Sequence, residues 1–177
     1  MARLVDLDNI AFSLIDAALT DRVNLILNSP LEIHWFCNSA TLTLLYPDVL
    51  AIVRKNLHVV DNEPDAADIA LIEFAVNKKS IIEVVTNDRA LMRVFALLGL
   101  KSVFFSFFDT GLLIVDPPPL FSFRNSFEID KFIAMVEKMP WLLSKPKWGM
   151  STIKSPSSPS PRTTRRAPRR SSKSSRP

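Results

Sequence analysis

Acidic residues that suit cation binding are concentrated in three short segments of the chain. Asp6 and Asp8 lie in VDLDN near the N-terminus, and Asp88 lies in VTNDR. Between them, one segment carries the four acids Asp61, Glu63, Asp65 and Asp68. Carboxylates a few ångströms apart either take up protons or bind cations. Their oxygens suit Mg²⁺ or Mn²⁺, and such ions can activate water and stabilise the leaving oxygen in phosphodiester cleavage.

Helix capping is a second interpretation of most of these acids. Asp65 and Asp68 lie where a helix is expected to start, and acids there are favoured by capping and by the helix macrodipole. Capping therefore explains that pair as well as metal binding does. Asp88, taken alone, is better explained as a helix N-cap, and Asp8 can begin the first helix in the same way. Asp6 separates the two interpretations, because an acid within an apolar strand is costly to bury unless something uses it.

Runs of β-branched and aromatic residues alternate with helical patterns through residues 1–150. Strands that alternate with helices predict a parallel sheet covered on both faces. We therefore expect a three-layer α/β/α fold with about five strands, in which functional groups lie at the carboxyl ends of the strands. The predicted strands are 3–7, 32–37, 57–60, 80–85 and 102–107, with 112–115 as one more, and the predicted helical segments are 10–19, 41–56, 65–78, 89–98 and 129–138.

The composition excludes several other kinds of site. Three glycines are too few for a glycine-rich nucleotide loop, and no such motif is present. Cys37 is the single cysteine, which excludes an intrachain disulfide and a multi-cysteine zinc site. No uncharged apolar run reaches the roughly 20 residues that span a bilayer, and acids interrupt the N-terminal segment where a signal peptide would be apolar. We expect a soluble intracellular protein without a membrane partner.

The charge of the chain is divided between two unlike parts. Its 22 basic and 18 acidic residues give a net charge of +4. Residues 151–177 hold eight of the basic residues and none of the acids, so they carry +8 and residues 1–150 carry −4. The last 27 residues also contain nine serines, five prolines and no aromatic residue. Such a segment cannot bury enough apolar surface to fold, so we predict a domain over 1–150 and a disordered tail over 151–177.

A tail of this charge favours binding to phosphates without sequence preference, with a steep dependence on salt. Residues 162–173 are also typical of a nuclear-import signal, which places the protein in the cytoplasm or the nucleus. Phosphorylation at the Ser-Pro sites, the first at Ser155, would weaken RNA binding. A third interpretation is a solubilising tail without a specific partner. The predicted RNA-binding residues are Arg162, Arg165, Arg166, Arg169, Arg170, Lys173 and Arg176.

Three motifs of the chain resemble the PIN-like superfamily, including its NYN branch. They are VDLDN, DAADIALIEFA, and VVTNDRAL followed by LLGLKSV, and together they extend over residues 3–107. The resemblance implies a metal-dependent ribonuclease fold with a parallel sheet and an acidic pocket for Mg²⁺ or Mn²⁺. It further implies catalytic and metal-binding roles for Asp6, Asp68 and Asp88, and supporting roles for Asn9, Thr86 and Asn87.

Two positions depart from the family pattern. NYN proteins often carry a second acid two residues after the third motif's aspartate, where this chain has Ala90. The glutamate typical of PIN domains has no clear counterpart, and Glu63 or Asp65 is the candidate to replace it. Asp65 and Asp8 are the candidate auxiliary metal ligands.

Three functional hypotheses follow. The leading one is a metal-dependent endoribonuclease that acts on single-stranded RNA and is tethered to it by the basic tail. The second is a non-catalytic RNA-binding protein that keeps a degenerate form of the fold. The third is an assembly or packaging protein whose body self-associates as a homo-oligomer and whose tail binds nucleic acid.

Overall fold

A six-stranded sheet forms the centre of the protein. The computed structural model describes residues 1–10, 19–78, 80–108 and 111–143, and the expected tail over 151–177 lies outside them. The strands are β1 (Ala2–Asp6), β2 (Glu32–Asn38), β3 (Leu57–Val60), β4 (Ile82–Val85), β5 (Ser102–Phe108) and β6 (Gly111–Val115). Their order is β3-β2-β1-β4-β5-β6, and the first five are parallel. The predicted α/β class with a mainly parallel sheet is thus confirmed.

The sixth strand is the departure from a purely parallel sheet. β6 pairs with β5 in the antiparallel sense. Only residues 109 and 110 separate the two strands. Such a connection suits a hairpin, whereas a parallel crossover needs a dozen or more residues. The chain therefore turns back at the edge of the sheet.

Helices cover both faces of the sheet. They are α1 (Leu7–Ile10), α2 (Leu19–Leu27), α3 (Ser39–Leu42), α4 (Pro47–Val53), α5 (Ala66–Asn77), α6 (Arg89–Leu97), α7 (Ser126–Glu137) and α8 (Pro140–Leu143). Leu4 and Val5 of the central strand are fully buried in two different apolar clusters. The cluster around Leu4 contains residues of α5, α6 and α7, and the cluster around Val5 contains residues of α2 and α4. Within the described ranges, no helix is long and apolar enough to cross a bilayer.

Three helical segments differ from the sequence pattern at their boundaries. The predicted segment 10–19 meets α1 and α2 only at its ends, and residues 11–18 are outside the described part of the chain. The segment 41–56 divides into α3, α4 and a 3₁₀ turn, because Pro47 starts α4 and cannot continue a preceding helix. α7 begins earlier than predicted, since the Asn125 side chain caps it by accepting a hydrogen bond from the Glu128 amide at 2.9 Å.

Arg93 fastens α7 and the loop before it to α6. Its side chain is fully buried and donates hydrogen bonds to the carbonyl oxygens of Pro119 and Ser122. Its Nη1 lies 3.1 Å from Glu128 Oε2 on α7. The guanidinium also lies over the Phe123 ring, 4.4 Å from its centroid. A buried charge of this kind must be paired, so the arginine sets where α7 lies.

We predict that Arg93→Met lowers the free energy of unfolding by about 3 kcal/mol, because it leaves two carbonyl oxygens without this donor and removes the buried partner of Glu128. Urea denaturation followed by circular dichroism measures the change. The matched control is Lys101→Met at an exposed position, which should alter stability by less than about 0.5 kcal/mol. Equal losses in the two variants would contradict the assigned role of Arg93.

Candidate active site

The predicted acids come together at the carboxyl edge of the sheet. Asp6 ends β1, and Asp88 follows the neighbouring strand β4 at the start of α6. Asp68 lies in the first turn of α5, which packs on β1 and β2. Parallel strands bring their carboxyl ends to one edge, and all three side chains are buried there, with Asp6 only 2% exposed. We call Asp6, Asp65, Asp68 and Asp88 the acidic cluster.

Thr86 connects Asp6 with Asp88. Its hydroxyl donates a hydrogen bond of 2.6 Å to Asp6 Oδ2 and accepts one of 2.9 Å from the Asp88 amide. Asp88 Oδ1 in turn accepts from the amides of Ala90 and Leu91, which caps α6. The other oxygen of Asp88 is directed away from the helix to an ammonium group described below. Asp88 is therefore both a helix cap and a member of the acidic cluster.

Asn9 and Asn87 hold three strand ends in register. The Asn9 amide donates to Asp6 Oδ1 at 3.1 Å, and its side-chain oxygen accepts from the Asn87 amide at 2.8 Å. The Asn87 side chain bonds both the N–H and the carbonyl oxygen of Phe107. These two predicted supporting residues thus link the ends of β1, β4 and β5.

The carboxylate of Asp8 binds residues at the junction of β2 and α3. Both of its oxygens accept hydrogen bonds from the Asn38 amide, at 2.9 and 3.1 Å, and the Thr41 hydroxyl donates to Oδ1 at 2.5 Å. Asp8 therefore stabilises the junction of β2 and α3. These contacts do not test the predicted role of Asp8 as an auxiliary metal ligand, which stays a prediction.

Asp65 precedes α5 in an unusual backbone conformation. Its φ of 59° lies in the left-handed region, and its side chain makes no capping hydrogen bond. The predicted helix start is thus confirmed, with Asp65 at the N-cap position and Asp68 in the first turn, but the expected capping hydrogen bond from the Asp65 side chain is absent. Its Oδ2 lies 3.6 Å from Lys138 Nζ, which also donates to the Pro64 carbonyl. Glu63, the other candidate for the missing family glutamate, is exposed on the preceding loop.

Lys131 of α7 is the member of the site that the sequence pattern does not identify. Its Nζ lies 3.1 Å from Asp68 Oδ2 and 3.7 Å from Asp65 Oδ1. It also donates a short hydrogen bond to Asp88 Oδ2. A lysine within a predicted helix usually faces solvent, and no local motif distinguishes this one. The ammonium bridges acids from two helices that approach one another only in the folded chain.

Two buried acids of the cluster favour their protonated form despite this ammonium. Burial raises the pKa of Asp6 well above its usual value, and the charges of Asp68 and Asp88 raise it further, against the hydrogen bond from Thr86. Burial likewise raises the pKa of Asp68 to about 6, although the nearby Lys131 opposes the increase. Burial disfavours the ammonium, but the two aspartates raise the pKa of Lys131 above its ordinary value. One lysine therefore does not balance the buried carboxylates.

The donor chemistry of the acidic cluster fits a hard divalent cation. Carboxylate oxygens are the preferred ligands of Mg²⁺ and Mn²⁺, and a cationic group already lies between Asp68 and Asp88. The coordination shell is not preformed, since no three His, Cys, Asp or Glu side chains among the described residues are grouped to hold a metal as they stand. Asp68 and Asp88 are the residues that would hold the ion, with Asp6 adjacent.

A cleft of about 240 Å³ opens beside the third motif. Its walls include Asn87 and Ser106 together with the basic residues Arg89 and Arg124. Arg89 Nε lies 3.6 Å from Glu128 Oε1, so part of its charge is compensated. The cleft thus holds two basic side chains and one acid, Asp116, whereas Arg93 is fully buried.

We predict that the free energy of unfolding of Asp68→Asn, relative to that of the wild-type protein, increases as the pH rises. The pKa of Asp68 is higher in the folded state than its usual value of 3.8, so the wild-type folded state binds the proton more tightly than the unfolded chain does. The stabilisation that the folded wild-type protein gains by binding this proton is complete below about pH 4. It is lost as the pH rises through about 6. Urea denaturation in EDTA should show the variant gaining on the order of 2 kcal/mol relative to wild type between pH 4 and 7.5.

The matched control for this measurement is Asp130→Asn, which removes an exposed acid from α7. It should follow the wild-type pH profile. A gain for Asp68→Asn that is constant with pH, or that falls as the pH rises, would contradict the raised pKa.

Comparison of the chain with protein-family models, curated proteins and solved structures finds no match. The resemblance to the PIN-like superfamily therefore depends on the three short motifs. The case for a function depends on the arrangement of Asp6, Asp68, Asp88 and Lys131.

Proposed function

We propose that the protein is a metal-dependent endoribonuclease with a PIN-like domain, acting on single-stranded RNA. The observation that supports this most strongly is the meeting of Asp6, Asp68 and Asp88 at one edge of the parallel sheet. Each comes from a different motif of the chain, at the end of β1, the start of α5 and the start of α6. Burying several carboxylates together is costly, and cation binding is the chemistry that gives such an arrangement a use.

In this proposal each residue of the site has a defined role. Asp68 and Asp88 hold Mg²⁺ or Mn²⁺, and Asp6 contributes negative charge beside them. When bound, the ion supplies a Lewis acid for water and for the phosphodiester. Thr86 orients Asp6 through a hydrogen bond of 2.6 Å, and Asn9 secures its second oxygen at 3.1 Å. No side-chain nucleophile is required.

The charge distribution supports RNA as the substrate. Residues 1–150 carry a net charge of −4 and would repel a polyphosphate, whereas residues 151–177 carry +8. A basic arm joined to an acidic domain offsets that repulsion through phosphate contacts and counterion release. Arg89 and Arg124 line a cleft that begins at Asn87, the residue before Asp88, and they offer positive charge there beside one acid, Asp116.

A non-catalytic RNA-binding protein is the second candidate, and Lys131 favours it. The ammonium lies between Asp68 and Asp88, where the first candidate requires a metal ion. In the second candidate Lys131 permanently replaces the ion, and the acidic cluster serves only to join α5, α6 and α7. The basic tail then accounts for all binding to RNA.

We predict that the full-length protein cleaves labelled single-stranded RNA in Mn²⁺ and that EDTA abolishes the cleavage. Asp88→Asn is the sharpest variant, because asparagine is as good a helix N-cap as aspartate and can preserve the bond to the Ala90 amide while removing the charge. Cleavage rates should fall at least about 100-fold in Asp88→Asn and in Asp6→Asn.

Asp130→Asn is the control, and it should cleave RNA at the wild-type rate. Cleavage that continues unchanged in both the Asp6 and Asp88 variants would exclude the proposed site. If the wild-type protein binds RNA but cleaves it in neither Mn²⁺ nor Mg²⁺, the nuclease proposal is overturned.

We predict a separate effect of the tail on RNA affinity. Changing Arg165, Arg166, Arg169 and Arg170 together to Gln in the full-length protein should reduce the slope of log affinity against log salt by about 3, because four phosphate contacts are lost. Fluorescence anisotropy at several salt concentrations measures this slope. The matched control changes Ser171, Ser172, Ser174 and Ser175 to Gln, and an equal reduction there would contradict a specific role for the arginines.

A further inference from the structure

Lys131 occupies the position at which the acids of two helices face each other. Its Nζ lies 3.1 Å from Asp68 Oδ2 on α5 and donates a short hydrogen bond to Asp88 Oδ2 at the start of α6. Asp65 Oδ1 lies 3.7 Å away. These are the same carboxylate oxygens that a divalent cation would take as ligands. The ammonium and a metal ion therefore compete for one set of donors.

The helix that carries Lys131 is anchored independently of this contact. One turn earlier on α7, Glu128 lies 3.1 Å from Arg93 and 3.6 Å from Arg89, both on α6. The Lys131 side chain is a quarter exposed, and its ammonium is at the end of a flexible four-carbon stem. The ammonium can therefore leave the carboxylates by rotation of the side chain while α7 stays in place.

The electrostatics of the acidic cluster favour a more highly charged cation than an ammonium. Among the residues that the structure describes, its four carboxylates face two lysines, Lys131 and Lys138, and the second of these contacts Asp65 alone among them. A single positive charge between Asp68 and Asp88 leaves negative charge in excess. Replacing that ammonium by a divalent ion would add positive charge where the buried carboxylates repel one another.

From this geometry we infer that Lys131 is an internal counter-ion of the acidic cluster, which gives up Asp68 and Asp88 when Mg²⁺ or Mn²⁺ binds. The inference rests on the proposed metal-dependent function and adds a mode of regulation to it. Lys131 stabilises the metal-free protein and lowers its affinity for metal. The site is thereby closed at low concentrations of divalent cation and opens only when the ion displaces the side chain.

The direct test compares Mn²⁺ binding by full-length Lys131→Met and wild-type protein, with free Mn²⁺ measured by electron paramagnetic resonance. Removing a competing unit charge a few ångströms from the metal ligands should tighten Mn²⁺ binding by about tenfold or more. Lys138→Met is the matched control, because it removes a lysine of the same helical region that does not contact Asp68 or Asp88. Its affinity should stay within about threefold of wild type. Unchanged or weaker binding by Lys131→Met would overturn the inference.

A second measurement uses the wild-type protein and does not depend on the stability of a variant. An amine-acylating reagent is applied with and without saturating Mn²⁺, and modification of each lysine is quantified by mass spectrometry. Modification of Lys131 should increase several-fold with Mn²⁺, relative to the exposed Lys101 as an internal reference. Equal or lower modification in the presence of Mn²⁺ would overturn the inference.

The outcomes also separate this inference from the proposed nuclease activity. If wild-type protein cleaves RNA in Mn²⁺ but Lys131→Met binds the ion no more tightly, the role of Lys131 is wrong and the nuclease proposal stands. If Lys131→Met binds Mn²⁺ more tightly while neither protein cleaves RNA, the role of Lys131 stands and the nuclease proposal fails. If neither protein binds Mn²⁺, both are overturned.

Discussion

Burial of negative charge at the carboxyl edge of the sheet is the constraint on which the arrangement of the helices depends. Asp6 and Asp68 are only 2% and 6% exposed, and such carboxylates need protons or cations close to them. Among the described residues, Lys131 of α7 supplies a cation at 3.1 Å from Asp68, and α7 lies against the starts of α5 and α6. Arg93, itself fully buried, fixes α7 there through Glu128. The ion pairs of two residues of α7, Glu128 and Lys131, thus join the site to the fold.

The hydrogen bonds that orient the acids are also those that hold the strand ends together. Thr86 donates to Asp6 on the neighbouring strand and accepts from the amide of Asp88. Asn9 and Asn87 extend the connection to the end of β5. Together, Asn9, Thr86 and Asn87 form hydrogen bonds with backbone groups as well as with carboxylates. A change in any of these residues would therefore affect both the geometry of the site and the stability of the sheet edge.

Several features of the fold follow from local sequence patterns. The alternation of strand and helix predicts the parallel sheet, and the rule that its carboxyl ends share one edge predicts that Asp6, Asp68 and Asp88 meet. The strand at Leu57–Val60 has the predicted bounds. Other details were not predicted. The sixth strand turns back after a two-residue connection and is antiparallel, and Asp65 adopts a left-handed conformation that aspartate tolerates but does not require.

By itself, the sequence determined the division of charge between residues 1–150 and 151–177, the α/β class, and which aspartates gather at the edge of the sheet. Only the tertiary structure decided how those acids are used. It placed Lys131 between Asp68 and Asp88, although 43 residues separate it from Asp88 in the chain. It also engaged both oxygens of Asp8 at the end of β2. The physical reason is that charge compensation is set by distance and burial in three dimensions, whereas local patterns report only neighbours along the chain.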